Sequence, residues 1–139
     1  YREIIRASFP AIDGAVELLD SLYAAGFSLG VGSSGPPENI ELTLECLGRS
    51  ELFDAIVTRI DVSRGKPDPQ VFQIAAKRLL AEPSQCVVVE DAPAGIEAAN
   101  RARMASVALT GTATRNELSH AALIVDSLRD LTPERLREL

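Results

Sequence analysis

Two adjacent carboxylates, Glu90 and Asp91, follow directly on the apolar run Cys86-Val87-Val88-Val89. Like charges at the end of a buried run repel each other where water is scarce, so a cation, a protonation change or ordered water has to compensate. One acid can cap a following helix, but both doing so is unfavourable, and the pair therefore points to a metal site. The ion that suits it is hard and oxygen-preferring, such as Mg2+. Three other stretches offer chemistry. Ser33-Ser34-Gly35 closes the apolar run 27–32, Lys66 lies in a polar loop over 59–68, and Thr110-Gly111-Thr112 ends a fourth apolar run. A serine hydroxyl and the N–H groups of a helix start can hold phosphate oxygens. A lysine adds a point positive charge, and Mg2+ neutralises charge as a phosphoryl group moves. Each stretch also has a plain reading, Ser33 and Ser34 as a helix cap and Lys66 as an exposed loop lysine. Together they form a phosphoryl-handling set without a nucleophile. Ser33 has no neighbouring base in sequence, because the single histidine, His120, lies in a polar stretch far along the chain and reads as a surface residue.

These groups can cooperate only if the chain brings them to one edge. Strand signals cover 27–32, 54–58, 86–90, 106–110 and 123–126, and helix signals lie between them. Asp13 is placed to cap a first helix with Val16, Leu19, Leu22 and Tyr23 at helical spacing, and Gly26 ends it. Pro36 and Pro37 open a second, with Ile40, Leu42, Leu44 and Leu47 as apolar positions and Gly48 as its stop. Asp68 caps a third with Pro69 at its first position and a stripe of Val71, Phe72, Ala75, Ala76 and Leu79. Pro93 opens a fourth containing Ile96, Ala99 and Asn100, and Thr132-Pro133 starts the last, with Leu136 and Leu139. Strands alternating with helices predict an α/β fold, a mainly parallel sheet covered on both faces in three layers. In such sheets ligands bind outside the carboxyl ends of the strands, which is where all four candidate stretches fall. Residues 1–12 depart from the pattern. Ile4 and Ile5 read as a helix arriving from a neighbouring domain, broken at Phe9-Pro10.

Composition narrows the function classes. With 46% apolar and 24% charged residues the chain is globular in type, and no apolar run approaches the length that spans a bilayer. A net charge of −6 argues against a nucleic-acid partner, which requires a basic footprint. Cys46 and Cys86 sit inside apolar patterns far apart and read as buried free thiols, which fits a reducing cytoplasm. The chain opens on Tyr1 rather than methionine and is expected to be cut from something longer.

At these same residues, from Phe9 onward, the sequence resembles the haloacid dehalogenase superfamily, and within it the beta-phosphoglucomutase-like and phosphoglycolate-phosphatase-like group. Three of the family's four motifs are present in order. Ser33 closes Gly30-Val31-Gly32-Ser33-Ser34-Gly35, Lys66 lies in Gly65-Lys66-Pro67-Asp68-Pro69, and Glu90-Asp91 leads into Ala92-Pro93-Ala94-Gly95-Ile96. The resemblance implies a Rossmann-like core and a role for each residue. Ser33 would bind phosphoryl oxygens, Lys66 would steady phosphate and nucleophile, and Glu90 and Asp91 would bind Mg2+ directly or through water. Ser34 and Asn39 stand where this group often contacts phosphate. Because Asp68 and Pro69 already fix the helix start, replacing Lys66 is expected to remove activity and leave stability nearly unchanged.

The departure from the family is the first motif, an Asp-x-Asp pair on the central strand, which occurs nowhere between Tyr1 and Leu139. Its first Asp would form an aspartyl-phosphate and its second would serve as general acid and base. The resemblance thus implies that the central, nucleophile-bearing strand is missing, that residues 1–8 are the tail of a cap domain, and that residues 9–139 are an incomplete core. The gap would be filled by an upstream fragment, by a second copy, or by direct pairing of the flanking strands. The expected function is Mg2+-dependent phosphatase or sugar-phosphate mutase action on a small phosphorylated metabolite by the full-length parent, the chain as given being inactive. Two other readings stay open. One is a catalytically inactive module that binds phosphate or a partner. The other is a flavodoxin-like receiver or nucleotide-binding domain, for which Ser33-Ser34-Gly35-Pro36 is a poor phosphate loop.

Overall fold

Valines at 87, 88 and 89 explain the sheet's centre. In a strand successive side chains point to opposite faces, so a strand covered on both sides must be apolar throughout. The computed structural model, which describes the backbone of residues 2–5 and all of residues 13–139, places Cys86–Glu90 as such a strand with all five residues buried. Val87 and Val89 enter one core with Leu18, Leu22 and Leu44. Cys86 and Val88 enter the other with Phe72, Ala75 and Ala99. Full burial of each such side chain contributes about 1.5–3 kcal/mol.

Six strands form one sheet: β1 (Arg2–Ile5), β2 (Ser28–Gly32), β3 (Phe53–Val57), β4 (Cys86–Glu90), β5 (Ala105–Leu109) and β6 (Leu123–Val125). All neighbours pair in parallel, in the order β3-β2-β1-β4-β5-β6. The helices are α1 (Ala15–Ala24), α2 (Pro37–Leu47), α3 (Gln70–Arg78), α4 (Pro93–Arg101) and α5 (Pro133–Arg137). Buried residues of α1, α2 and α5 face one core and those of α3 face the other. This is the expected three-layer parallel α/β fold. The strand order reverses between β1 and β4, and in open α/β sheets such a switch point, outside the carboxyl ends of the strands, is where ligands bind.

The position between β2 and β4 is held by the chain's own N-terminal residues, a solution outside the three anticipated. Arg2–Ile5 pairs with β2 from Arg2↔Ser28 and with β4 through Ile5↔Val89. Ile4 and Ile5 are therefore strand, where helix was expected. Two β-branched residues suit that slot, and without it two inner edges would carry unpaired backbone groups. This strand carries no aspartate, so the Asp-x-Asp strand is absent from the chain. The expected break at Phe9-Pro10 lies outside the described residues.

Several side chains depart from expectation. Asp13 does not cap α1. Its carboxylate accepts from Arg129 Nε and Nη2 at 3.1 and 2.9 Å, and Gly14 stands at the helix start with φ 84°. On α2 the buried stripe is Ile40, Thr43, Leu44 and Leu47. Thr43 serves there because its hydroxyl donates to Asn39 O at 2.8 Å, and Leu42 and Cys46 are turned to the exposed face. Tyr23 is likewise exposed, with Leu18 buried beside Leu19 and Leu22. Cys86 is buried as expected, its Sγ donating to Glu82 O at 3.4 Å. Among the described residues no helix is long and apolar enough to cross a membrane.

Candidate active site

Each candidate residue is delivered by the end of a strand. Ser33 follows β2, and its N–H donates to Val57 O of β3 at 2.9 Å, which carries the sheet pairing one residue further. The Ser33 side chain then turns the chain into α2: Gly35 N donates to its Oγ at 3.1 Å, and Ser33 is 4% exposed. An accepting hydroxyl keeps its own proton for another acceptor. Pro36 and Pro37 lead into α2, whose first turn lies just beyond, with Ser34 and Asn39 exposed beside it.

Lys66 arrives on the loop between β3 and α3. Gln70 clamps that loop, its Oε1 accepting from Ser63 N, Ser63 Oγ and Arg64 N at 2.9, 3.1 and 2.9 Å. Asp68 Oδ1 accepts from Gln70 N at 2.9 Å, so the cap read from sequence is made, one residue ahead of Pro69. At the β3 end, Thr58 and Asp61 cap each other. The Thr58 N–H, with help from Arg78, holds the Asp61 carboxyl below its ordinary value. The Lys66 ammonium is buried against three groups. It donates to Glu90 Oε2 at 2.7 Å and to Gly32 O at 3.3 Å, and it lies 5.0 Å from the centre of the Phe72 ring. Gly32 permits this approach, since a Cβ there would meet the Phe72 ring at 3.0 Å.

Glu90 ends β4 at 2% exposure. Besides Lys66 it accepts from Asp91 N through Oε1 at 3.0 Å. Its carboxylate rests on the first turn of α4 at Gly95, where any Cβ would overlap Glu90 Cγ, Cδ and Oε2. Asp91 is half-buried, and its Oδ2 accepts from Thr112 Oγ1 at 2.8 Å. The structure thus brings Ser33, Lys66, Glu90 and Asp91 to one edge of the sheet. Lys66 links the β2 end to the β4 end across the switch point.

The Lys66–Glu90 pair changes one expectation. The two side chains are 8% and 0% exposed, and removing one partner of a buried pair leaves an uncompensated charge. Lys66 is therefore a structural residue as well as a candidate for chemistry, and its replacement acts on stability too. From sequence Gln70 had no role, Phe72 only a place in a buried helix stripe, Gly95 only a place in the motif after the acid pair, and Thr112 only a place at a strand end, without a partner. The signals available were a glycine in the first turn of the helix after paired acids, and a hydroxyl in the loop after β5.

Among the described residues no three His, Cys, Asp or Glu side chains gather as a metal site. The two carboxylates at the end of β4, Glu90 and Asp91, suit Mg2+, which keeps several waters and binds through one or two carboxylates plus substrate phosphate. Asp91 offers such an oxygen at the cleft, and Glu90 offers a second carboxylate already shared with Lys66.

Residues 1–103 match the description "haloacid dehalogenase-like hydrolase". The chain belongs to the haloacid dehalogenase-like hydrolase family. Within it, the chain is 47% identical over 124 residues to validoxylamine A 7'-phosphate phosphatase of Streptomyces hygroscopicus subsp. limoneus, covering 89% of this chain and 57% of that protein. It is 35% identical to beta-phosphoglucomutase of Bacillus subtilis (strain 168), covering 91% of this chain and 54% of that protein. The crystal structure of beta-phosphoglucomutase from Clostridium difficile superposes with a TM-score of 0.83 at 33% identity, over 96% of this chain and 57% of that one. The chain spans little more than half the length of these haloacid dehalogenase-like relatives.

Proposed function

We propose that the full-length protein is a Mg2+-dependent phosphatase or sugar-phosphate mutase acting on a small phosphorylated metabolite. One observation carries this reading: a buried ammonium, Lys66, spans from the end of β2 beside Ser33 to the acid pair at the end of β4. A cation fixed in a poorly solvated crevice beside hydroxyl and N–H donors is arranged for an anion whose charge shifts during reaction. The names of the relatives agree, among them phosphatases and a phosphoglucomutase, and one structural neighbour was solved with a xylulose bisphosphate.

In this reading Ser33 donates its hydroxyl proton to a phosphoryl oxygen, with the N–H groups at the start of α2, Ser34 and Asn39 beside it. Lys66 holds phosphate and nucleophile together by charge. Asp91 would hold Mg2+ with Glu90 next to it, and the ion when bound would neutralise the phosphoryl oxygens. The nucleophile is an aspartate carboxylate from an upstream Asp-x-Asp segment. Its oxygen forms a bond to phosphorus as the ester P–O bond breaks, and the second Asp protonates the departing oxygen. Water in a phosphatase, or a sugar hydroxyl in a mutase, then attacks phosphorus as the aspartyl O–P bond breaks, giving its proton to the second Asp, which the first step left deprotonated. The partner is the metabolite rather than nucleic acid or membrane, and the setting proposed for it is the cytoplasm.

The test is phosphate release from p-nitrophenyl phosphate and a panel of sugar phosphates by the full-length protein, with and without Mg2+. Activity that EDTA abolishes and that Asp91→Asn lowers by orders of magnitude is expected. Near-wild-type, EDTA-resistant turnover in Asp91→Asn overturns the reading. Because 1–139 contains no Asp-x-Asp pair, this chain alone should bind phosphate without turning it over. The same lack of turnover in the full-length protein favours the inactive phosphate-binding module.

A further inference from the structure

We infer that Thr112 is a positioning residue for the cation site, holding the Asp91 carboxylate at the angle at which it meets Mg2+. This rests on the reading of Asp91 as a Mg2+ ligand. Thr112 Oγ1 donates to Asp91 Oδ2 at 2.8 Å, a charge-assisted hydrogen bond from outside α4 and β4. Asp91 sits at the strand-to-helix turn between β4 and α4. A ligand carboxylate gains affinity when an outer hydrogen bond fixes its orientation.

The loop that carries Thr112 is itself held at both ends. On the near side, Thr110 Oγ1 donates to Asp126 Oδ1 at 2.7 Å, and Arg115 Nη2 donates to Asp126 Oδ2 at 3.1 Å. These two bonds hold the Asp126 carboxyl below its ordinary value, Thr110 contributing most. Next, Thr114 N and Oγ1 both donate to Glu117 Oε1, at 3.1 and 3.0 Å, closing a tight turn. Leu118 is fully buried against Ile96 and Ala108. On the far side Asn100 Nδ2 donates to His120 O at 2.9 Å, and the His120 ring bonds Pro93 O at 3.2 Å. Pro93 and Asn100 belong to α4, the helix that Asp91 leads into. The loop is thus fastened to the helix that Asp91 leads into, and Thr112 bridges back to Asp91 itself. A surface threonine with only a solvent role needs no such support.

The experiment uses the full-length protein and its Thr112→Val, Thr112→Ser and Asp91→Asn variants. Mn2+ binding is measured by calorimetry and by electron paramagnetic resonance without substrate, with Mg2+ competing. Thr112→Val should weaken Mn2+ affinity by roughly tenfold, and Thr112→Ser should return it to within about twofold of wild type. Thr112 is exposed, so melting temperatures should be alike across the series. Unchanged affinity in Thr112→Val, or a Thr112→Ser variant as weak as Thr112→Val, overturns the inference. If Asp91→Asn weakens binding and Thr112→Val does not, the positioning role alone fails. If Asp91→Asn binds Mn2+ as wild type does, the metal reading fails and takes this inference with it.

Discussion

Gly95→Ala is the substitution for which local propensity and the observed packing disagree in sign. Alanine in place of glycine in a helix stabilises by about 0.5–1 kcal/mol, and Gly95 lies in the first turn of α4. Here, however, the new Cβ would overlap Glu90 Cγ, Cδ and Oε2. Glu90 cannot yield outward, since its side chain is fully buried and its Oε2 is bound to Lys66 at 2.7 Å. Overpacking of this kind costs about 1–3 kcal/mol, and loss of a buried ion-pair partner about 3–5 kcal/mol. After the helix gain is subtracted, a net destabilisation of about 2–4 kcal/mol is expected, a fall in Tm of roughly 10 °C for a chain of this size. The assay is thermal and urea unfolding followed by circular dichroism, with phosphate affinity measured alongside. Ala94→Gly, one residue earlier and exposed, is the control and should lose no more than about 1 kcal/mol. A Gly95→Ala protein as stable as wild type, with phosphate affinity intact, would refute the account of Glu90 packed on α4.

Lys66→Ala should lower stability by about 3–5 kcal/mol as well as removing activity, whereas Lys66→Met with Glu90→Leu should recover most of the stability and none of the activity. Equal stability of the single variant and wild type in urea unfolding would show the pair to be solvated. The Asp126 and Asp61 carboxyls are held below their ordinary values, as is that of Glu117, chiefly by the Thr114 N–H. A depressed folded value gives stability that is fully present above the usual carboxylate range, near 4, and is lost as pH falls through the folded value. The Tm difference between wild type and Asp126→Asn should therefore be constant from pH 7 to about 5 and shrink below about 4. A difference independent of pH down to acid unfolding would mean that the Asp126 brace is not electrostatic.

The layers of this fold were legible because the core strands and α3 obey their periods. The five apolar positions expected on the third helix, Leu79 just past the end of α3 included, are all buried, and all of Cys86–Glu90 is buried as a doubly covered strand requires. Legibility failed where a polar side chain took an apolar role or a distant group captured a local one. Thr43 joins the buried stripe because its hydroxyl is satisfied by Asn39 O, and Leu42 is displaced to the surface. Asp13 could not be read as the partner of Arg129, because nothing local connects residues 116 positions apart. Ile4 and Ile5 fit either a helix or a strand by composition, and the vacancy between β2 and β4 decides for strand. At the site, the strand-end rule found Ser33, Lys66, Glu90 and Asp91. It could not show that Glu90 faces Lys66, since that depends on how far Gly95 lets the carboxylate sink onto α4.

That last arrangement bears on why the site is built as it is. A buried ion pair is weak evidence for stability, because well-packed apolar residues of the same volume often do as well or better. Yet several positions here accommodate this one pair. Gly95 leaves room for the Glu90 carboxylate, and Gly32 lets Phe72 slide under the Lys66 ammonium. Gln70 clamps the loop that delivers the lysine. Glycine weakens a helix or strand interior, so the fold gives up stability at Gly95 and Gly32 to hold a charge pair that adds little of its own. The geometry makes sense if the ammonium must stand at the sheet's switch point, beside Ser33, where its burial calls for a counter-charge. Glu90 then serves first as the counter-charge that aims Lys66, and Asp91, half-buried and bonded by Thr112, stands beside it as the carboxylate proposed for the cation.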